Sequence, residues 1–279
     1  MFAFELQMNK QKTYFIFILT VLLSVSCSKY QKALKDPDAN KKFELAKYYY
    51  DKKDYYRAST LLDQLQDNFS GTTNAEKVLF YSAYCNYGLK NYGLAGYQFK
   101  AYFENYPTGE WAEESLYMNA YCQFLESQPS YLDQTDTFKG IEAINLFVNV
   151  YPDSKYIPEC NTMIDKLRAK LSMKAYRLAK LYFNIREYKS AIVALENTLK
   201  DYPEIAQKEE LEYLTVKSNF LLAQNSIDEK KEERYLNTLS AANDFNMEYQ
   251  ESKYQKEVLS MADKANSEIK KIQSRKQKS

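Results

Sequence analysis

The chain of 279 residues contains no histidine, only 6 glycines and 6 prolines, a single tryptophan and 4 cysteines. Each shortage closes off a class of chemistry. Without histidine there is no imidazole to serve as a general base, and a structural zinc site loses its commonest nitrogen ligand. No glycine-rich phosphate loop and no Gly-x-Ser-x-Gly elbow occurs. So few glycines and prolines cannot punctuate the many turns of an all-β chain. Charge of one sign is not in excess either, the net being +1. That leaves no field strong enough to favour nucleic acid or an anionic membrane. A bilayer-spanning apolar run is also missing: the run at 14–23, YFIFILTVLL, has 10 residues, where about 20 are needed. The expectation is a chain that is not an enzyme and needs no cofactor or metal.

What is abundant is tyrosine, 27 residues, which supplies flat, stiff contact area with a polar tip. The stretch 175–203, AYRLAKLYFNIREYKSAIVALENTLKDYP, reads as two antiparallel helices joined at 186–188. Ala179 and Ala191 lie 12 residues apart, and Pro203 follows 12 later. Small residues at such positions let two helices approach closely. Tyr-Pro ends the second helix, because proline donates no amide hydrogen and disfavours helix before it. Ala46, Ala58 and Ser70 repeat the spacing, as do Ala83, Ala95 and Pro107. Gly140 and Pro152 supply the second half of a third unit, whose first helix carries Ala120. A degenerate fifth unit ends at 249–254, YQESKY, echoing YPDSKY at 151–156. The pattern implies an all-α, tetratricopeptide-like (TPR-like) superhelical solenoid of about five helix-turn-helix repeats.

The apolar run at 14–23 follows Lys10 and Lys12 and fits a signal-peptide core. It ends in Ser24-Val25-Ser26-Cys27, similar to a bacterial lipobox, in which the cysteine becomes the lipidated first residue. Met1 and Met8 both stand as possible starts. Removing 1–27 takes away Lys10, Lys12 and Glu5 and leaves 36 basic against 36 acidic residues. Membrane attachment is therefore expected from acyl chains, not from charge. After the signal peptide, 28–39 reads as a tether, 40–156 as N-terminal repeats 1–3, 157–250 as C-terminal repeats 4–5, and 251–279 as a capping helix with a basic tail that frays over its last ten residues. Helices are expected at 40–52, 55–68, 74–89, 92–106, 110–126, 137–151, 157–185, 205–226 and 229–248, with a last one from Tyr254. Cys85, Cys122 and Cys160 read as buried small hydrophobes, an odd set with no metal spacing.

The adjacent carboxylates Glu113-Glu114, Glu209-Glu210 and Glu232-Glu233 read as solvated faces. The better candidate site is a groove. Taking Ala46, Ala83 and Ala120 as equivalent, positions −3, +1 and +4 share one helix face. They are Phe43, Lys47 and Tyr50, then Phe80, Tyr84 and Tyr87, then Tyr117, Tyr121 and Phe124. Lys47 and the nearby Lys77 are the cations. An extended peptide with aromatic side chains and a free carboxylate would suit such a surface. Equally, an error of one in register would make these rings inter-helix core.

Cys27, the stretch after it and five units with Tyr-Pro closures resemble the BamD family of outer-membrane β-barrel assembly lipoproteins. The pieces that carry the likeness are Tyr55-Tyr56-Arg57-Ala58, Tyr106-Pro107, Lys139-Gly140-Ile141-Glu142-Ala143, Ala179-Lys180-Leu181-Tyr182-Phe183 and Tyr202-Pro203. The resemblance implies a non-catalytic scaffold, lipid-anchored at the outer membrane and facing the periplasm. Its N-terminal repeats would receive the C-terminal targeting strand of unfolded outer-membrane proteins. Its C-terminal repeats would dock on the POTRA domains of a BamA-like barrel insertase. The alternative is a lipid-anchored TPR adaptor for a cell-wall or glycan-uptake complex, since tyrosine-rich grooves also stack sugars. Cys27→Ala is expected to leave the protein unlipidated and soluble on cell fractionation; membrane anchoring that persists with an intact leader would reveal an uncleaved signal anchor instead.

Overall fold

The computed structural model describes residues 29–65 and 73–277. Cys27, the signal peptide and the Phe69-Ser70 closure lie outside them. The described residues form a helical turn at 29–34 and eleven helices: α1 (Ala39–Asp51), α2 (Tyr55–Asp63), α3 (Thr73–Gly88), α4 (Tyr92–Asn105), α5 (Ala112–Glu126), α6 (Thr135–Val150), α7 (Ile157–Asn184), α8 (Tyr188–Asp201), α9 (Lys208–Gln224), α10 (Asp228–Glu248) and α11 (Gln255–Lys276). The architecture is all-α and TPR-like, with successive helices packed from α1 to α6 and again from α8 to α11. Two compact units divide it. One ends at Asn161 but omits 128–134; the other takes those residues and everything from Thr162 on, so the boundary falls inside α7. Among the described residues no helix is long and apolar enough to cross a membrane.

The spaced small residues form the helix crossings. Ala46 with Ala58, Ala83 with Ala95, and Ala179 with Ala191 are all at 0% exposure, as is Ala120. Close approach is tightest beside them. A Cβ on Gly96 would sit 3.1 Å from the Cys122 side chain, and one on Gly88 would lie 2.3 Å from the Tyr55 ring.

Three hairpin turns share one backbone device. Lys53, Lys90 and Arg186 take φ of 59°, 63° and 66°. Each is followed by a polar residue and a tyrosine that opens the next helix. The amide after each left-handed residue returns to the preceding helix, as in Asp54 N to Tyr49 O, Asn91 N to Asn86 O and Glu187 N to Tyr182 O. This closes the otherwise orphaned carbonyls of the helix end. The other helix stop is the capping tyrosine. Tyr106 and Tyr202, both before proline, take φ/ψ of −131°/60° and −134°/64°. Tyr249 takes −124°/66° before glutamine, so proline is not required for this shape. Its ring rests 5.0 Å from Phe245 instead.

Three expectations differ from the structure. Helix α2 stops at Asp63 rather than near 68, because Leu65 turns into the core at 0% exposure and its amide bonds back to Leu62 O. The stretch read as a tether is helical over 29–34, and Tyr30 is buried. The basic tail continues as helix to Lys276, held where Glu232 accepts from Gln273 and Lys276.

A left-handed backbone costs an L-residue about 1–2 kcal/mol, and a β-branched one more. Lys90→Gly is therefore expected to hold or raise the melting temperature followed by circular dichroism, and Lys90→Ile to lower stability by about 1 kcal/mol or more. Equal melting of Lys90→Ile and the parent would contradict this turn geometry.

Candidate functional site

The first helices of the hairpins in the N-terminal unit, α1, α3 and α5, carry the aromatic positions inferred from spacing. They behave differently by position. The −3 residues Phe43, Phe80 and Tyr117 are buried, at 8%, 7% and 7% exposure. The +1 and +4 residues Tyr50, Tyr84, Tyr87, Tyr121 and Phe124 are half-buried, while Lys47 and Lys77 are exposed. So one predicted stripe is two layers: an inner row that is core and an outer row that reaches the surface.

The inner row is covered by rings from the connections between hairpins. Trp111 stacks on Phe80 at 4.6 Å between centroids, and Tyr156 on Tyr117 at 4.0 Å. The C-terminal unit repeats the device, with Tyr254 stacked on Tyr213 at 4.1 Å. The echoed YPDSKY and YQESKY segments build it identically. Ser154 Oγ donates to Glu113 and Ser252 Oγ to Glu209, while the same oxygens accept from the amides of Tyr156 and Tyr254. Lys155 and Lys253 lie over the outer faces of those rings at 4.9 and 4.8 Å.

The outer row is continuous. Tyr84 meets Tyr87 at 6.4 Å, Tyr87 meets Tyr121 at 6.3 Å, and Tyr121 meets Tyr117 and Phe124 at 6.1 and 6.2 Å. Toward α1 the ladder is bridged by Tyr81, which lies 6.1 Å from Phe43 and 4.9 Å from Tyr50. Each well-oriented aromatic pair is worth about 0.5–1.5 kcal/mol beyond its buried area. The ladder is thus held together without a ligand.

The hydroxyls are tied to acids on neighbouring helices. Tyr84 donates to Glu114, and the Glu159 carboxylate stands near the Tyr117 hydroxyl. In the C-terminal unit Tyr176 donates to Glu210 and Tyr213 to Glu257, both at 2.8 Å. There Lys180 and Lys217 complete each tie, donating to the tyrosine oxygen at 2.9 and 2.8 Å and pairing with the same glutamate at 2.9 Å. These acids stand in the first turns of α5, α7, α9 and α11, two helices beyond the tyrosines they face, where a carboxylate also suits the helix dipole. The reading of the paired glutamates as solvated faces is therefore corrected. Glu113, Glu114, Glu209, Glu210 and Glu232 are half-buried and engaged, because neighbouring helices and the connections between hairpins deliver a donor to each; Glu233 alone stays exposed. Burial first, and then the neighbouring carboxylate, push the Tyr84 and Tyr117 hydroxyls well above the usual phenol range; Tyr50 is pushed up to about 12, chiefly by burial.

With this geometry in hand, comparison with known proteins is decisive at the family level. The family model described as YfiO, outer membrane lipoprotein, matches residues 35–234. The chain belongs to that family. Among characterised proteins it is similar to the outer membrane protein assembly factor BamD of Pasteurella multocida (strain Pm70), at 23% identity over 207 residues, 71% of this chain and 79% of that one. Among solved structures it is similar to the TPR2AB domain of yeast Sti1 in its pHSP90 complex. The identity there is 15% and the TM-score 0.38, over 82% of this chain and 98% of that one.

The matched region contains every ring of the ladder. Spacing alone put Tyr50, Tyr84, Tyr87, Tyr121 and Phe124 on one face, but missed Tyr81, Trp111 and Tyr156, which do the covering and bridging. The repeated Ser-Lys-Tyr of the connections was the available signal for Tyr156 and Tyr254. Among the described residues no group of three or more acidic or cysteine side chains is placed to hold a metal.

The three cysteines of the described residues are free and buried at 0% exposure. Burial pushes the Cys85 and Cys122 thiols up to about 12 and Cys160 to about 11. A thiol whose folded pKa is raised stays protonated, and so unreactive, until the pH passes that value. At pH 8 a thiol reagent is expected to label none of the three in the folded protein and all three in denaturant; rapid labelling of the folded protein would contradict the packing.

Proposed function

We propose that this family member is a lipid-anchored, non-catalytic scaffold of the outer-membrane β-barrel assembly machinery. It is held at the membrane by acyl chains on Cys27 and faces the periplasm. The observation that carries the reading is the half-buried ladder from Tyr50 to Phe124. An outer row of flat rings, pre-ordered by its own contacts and by hydroxyl ties, gives a strand-like peptide with aromatic side chains a surface that needs no reorganisation. The Pasteurella multocida relative, an outer membrane protein assembly factor, points to the same class of client.

The electrostatics orient such a client. Glu114 and Glu159 stand at the ladder beside Tyr84 and Tyr117, while the exposed cations Lys47 and Lys77 lie on α1 and α3. A terminal carboxylate is repelled at the first pair and welcomed near the second, so the peptide's aromatic end sits toward α1 and α3. The work performed is capture and hand-over: reversible binding, with the lipid anchor raising effective concentration near the membrane. The C-terminal unit then docks on the POTRA domains of a BamA-like insertase.

A detergent-solubilised pull-down on C-terminally tagged protein is expected to recover a POTRA-containing barrel as the main partner. Recovery of cell-wall or glycan-transport components without such a barrel would overturn the assembly role. Tyr121→Ala with Phe124→Ala removes outer-row rings only. It is expected to weaken binding of a peptide ending in Phe about tenfold or more, at about 1–3 kcal/mol for lost hot-spot contacts, with the helix signal retained. Unchanged affinity would mean these rings are packing alone.

A further inference from the structure

The overall balance of 36 basic and 36 acidic residues after Cys27 hides a polarised end. Residues 29–57 contain nine basic and five acidic side chains. Lys29, Lys32, Lys52 and Lys53 are exposed, and Lys42, the one buried lysine of the segment, is turned inward to Gln64. Two exposed tyrosines accompany them, Tyr48 at 54% and Tyr56 at 69% exposure. Lys52 lies 6.0 Å from the Tyr48 ring.

These groups are brought to one place by a clamp. The Tyr30 ring stands edge-on to Tyr49 at 5.8 Å, and the Arg57 guanidinium lies 5.7 Å from Tyr30 and 5.5 Å from Tyr49. Arg57 is itself fixed by Asp54 at 3.0 Å. The helical turn at 29–34 is therefore docked on the α1–α2 hairpin tip, the tip that carries Tyr48, Lys52, Lys53 and Tyr56. Its outward face carries Lys29 and Lys32, three residues apart, while Tyr30, Ala33 and Leu34 pack inward.

We propose that this hairpin tip is a second membrane contact, a face that lies on anionic phospholipid headgroups. Chain length supplies the first argument. Three residue steps separate Cys27 from the clamped Tyr30, a reach of about 11 Å. Acyl chains on Cys27 thus bring the headgroup layer to within roughly one Debye length of the tip's lysines. Charge supplies the second, since juxtamembrane lysines are each worth about fivefold in affinity for an anionic surface. Exposed tyrosines between lysines suit the headgroup level, where one end of the ring is apolar and the other wet. The hairpin would then lie on the bilayer in one orientation, not swing on a tether. The placement rests on Cys27 as the lipid-bearing residue; the affinity for headgroups does not.

The test uses the chain from Ser28 to its end, which keeps every described element and carries no lipid. It is sedimented at low salt with vesicles of phosphatidylethanolamine and phosphatidylglycerol at 3:1, and with phosphatidylcholine vesicles. Binding to the first and not the second is expected, lost at 0.5 M salt. Lys29→Gln, Lys32→Gln, Lys52→Gln and Lys53→Gln together are expected to lower it at least tenfold with an unchanged melting temperature. The same exchange at Lys189, Lys256, Lys264 and Lys270 is expected to leave it within twofold. No binding to anionic vesicles, equal binding to phosphatidylcholine, or equal losses in both quadruple variants would each overturn the proposal. None of these outcomes depends on lipidation of Cys27, which cell fractionation of the alanine variant tests by itself.

Discussion

Close approach of paired helices at small, fully buried residues is the constraint on which the rest of this structure depends. At Ala46 and Ala58, Ala83 and Ala95, and Ala179 and Ala191, nothing larger than a methyl group occupies the crossing. The space between helices is therefore narrow at those points and wide on either side of them. Tyrosine and phenylalanine fill the wide parts. That is why a chain so rich in tyrosine still keeps an ordered interior: rings stand where alanine has set the spacing, and Gly88 even takes the face of Tyr55 against its bare Cα. A side chain added at a crossing would disturb the rings on both sides as well as the crossing itself.

Tyrosine brings a hydroxyl into that interior, and a buried hydroxyl needs a partner. The chain meets the need by placing glutamate in the first turn of the next hairpin's first helix. The ties from Tyr84 to Glu114, Tyr176 to Glu210 and Tyr213 to Glu257 are one solution used repeatedly. The ties have a functional corollary. They fix the orientation of the rings, so the outer row faces outward without collapsing.

Helix positions were legible in the sequence because their ends are local. The left-handed turn residues Lys53, Lys90 and Arg186 and the capping tyrosines act within five residues of themselves, and most expected bounds lie within one to three residues of the structure. Spacing from the buried alanines likewise identified the ladder's outer row. The failures are all non-local. That α2 ends at Asp63, that Tyr30 docks between Tyr49 and Arg57, and that Glu114 accepts from Tyr84 depend on which elements become neighbours. A pair such as Glu113-Glu114 looks like any solvated helix start until the facing helix is known. The split of the aromatic stripe into a buried −3 row and a half-exposed outer row has the same origin, since Trp111 and Tyr156 arrive from connections that helix periodicity does not describe.

The central claim is that the outer row binds client strands. It is tested most directly by placing a photo-reactive amino acid at position 121 in cells, irradiating, and identifying the attached peptides by mass spectrometry. The account predicts adducts with the C-terminal strands of outer-membrane β-barrel proteins, their aromatic ends mapping toward α1 and α3. Adducts confined to one stable partner or to a glycan, with no β-barrel strand among them, would contradict it.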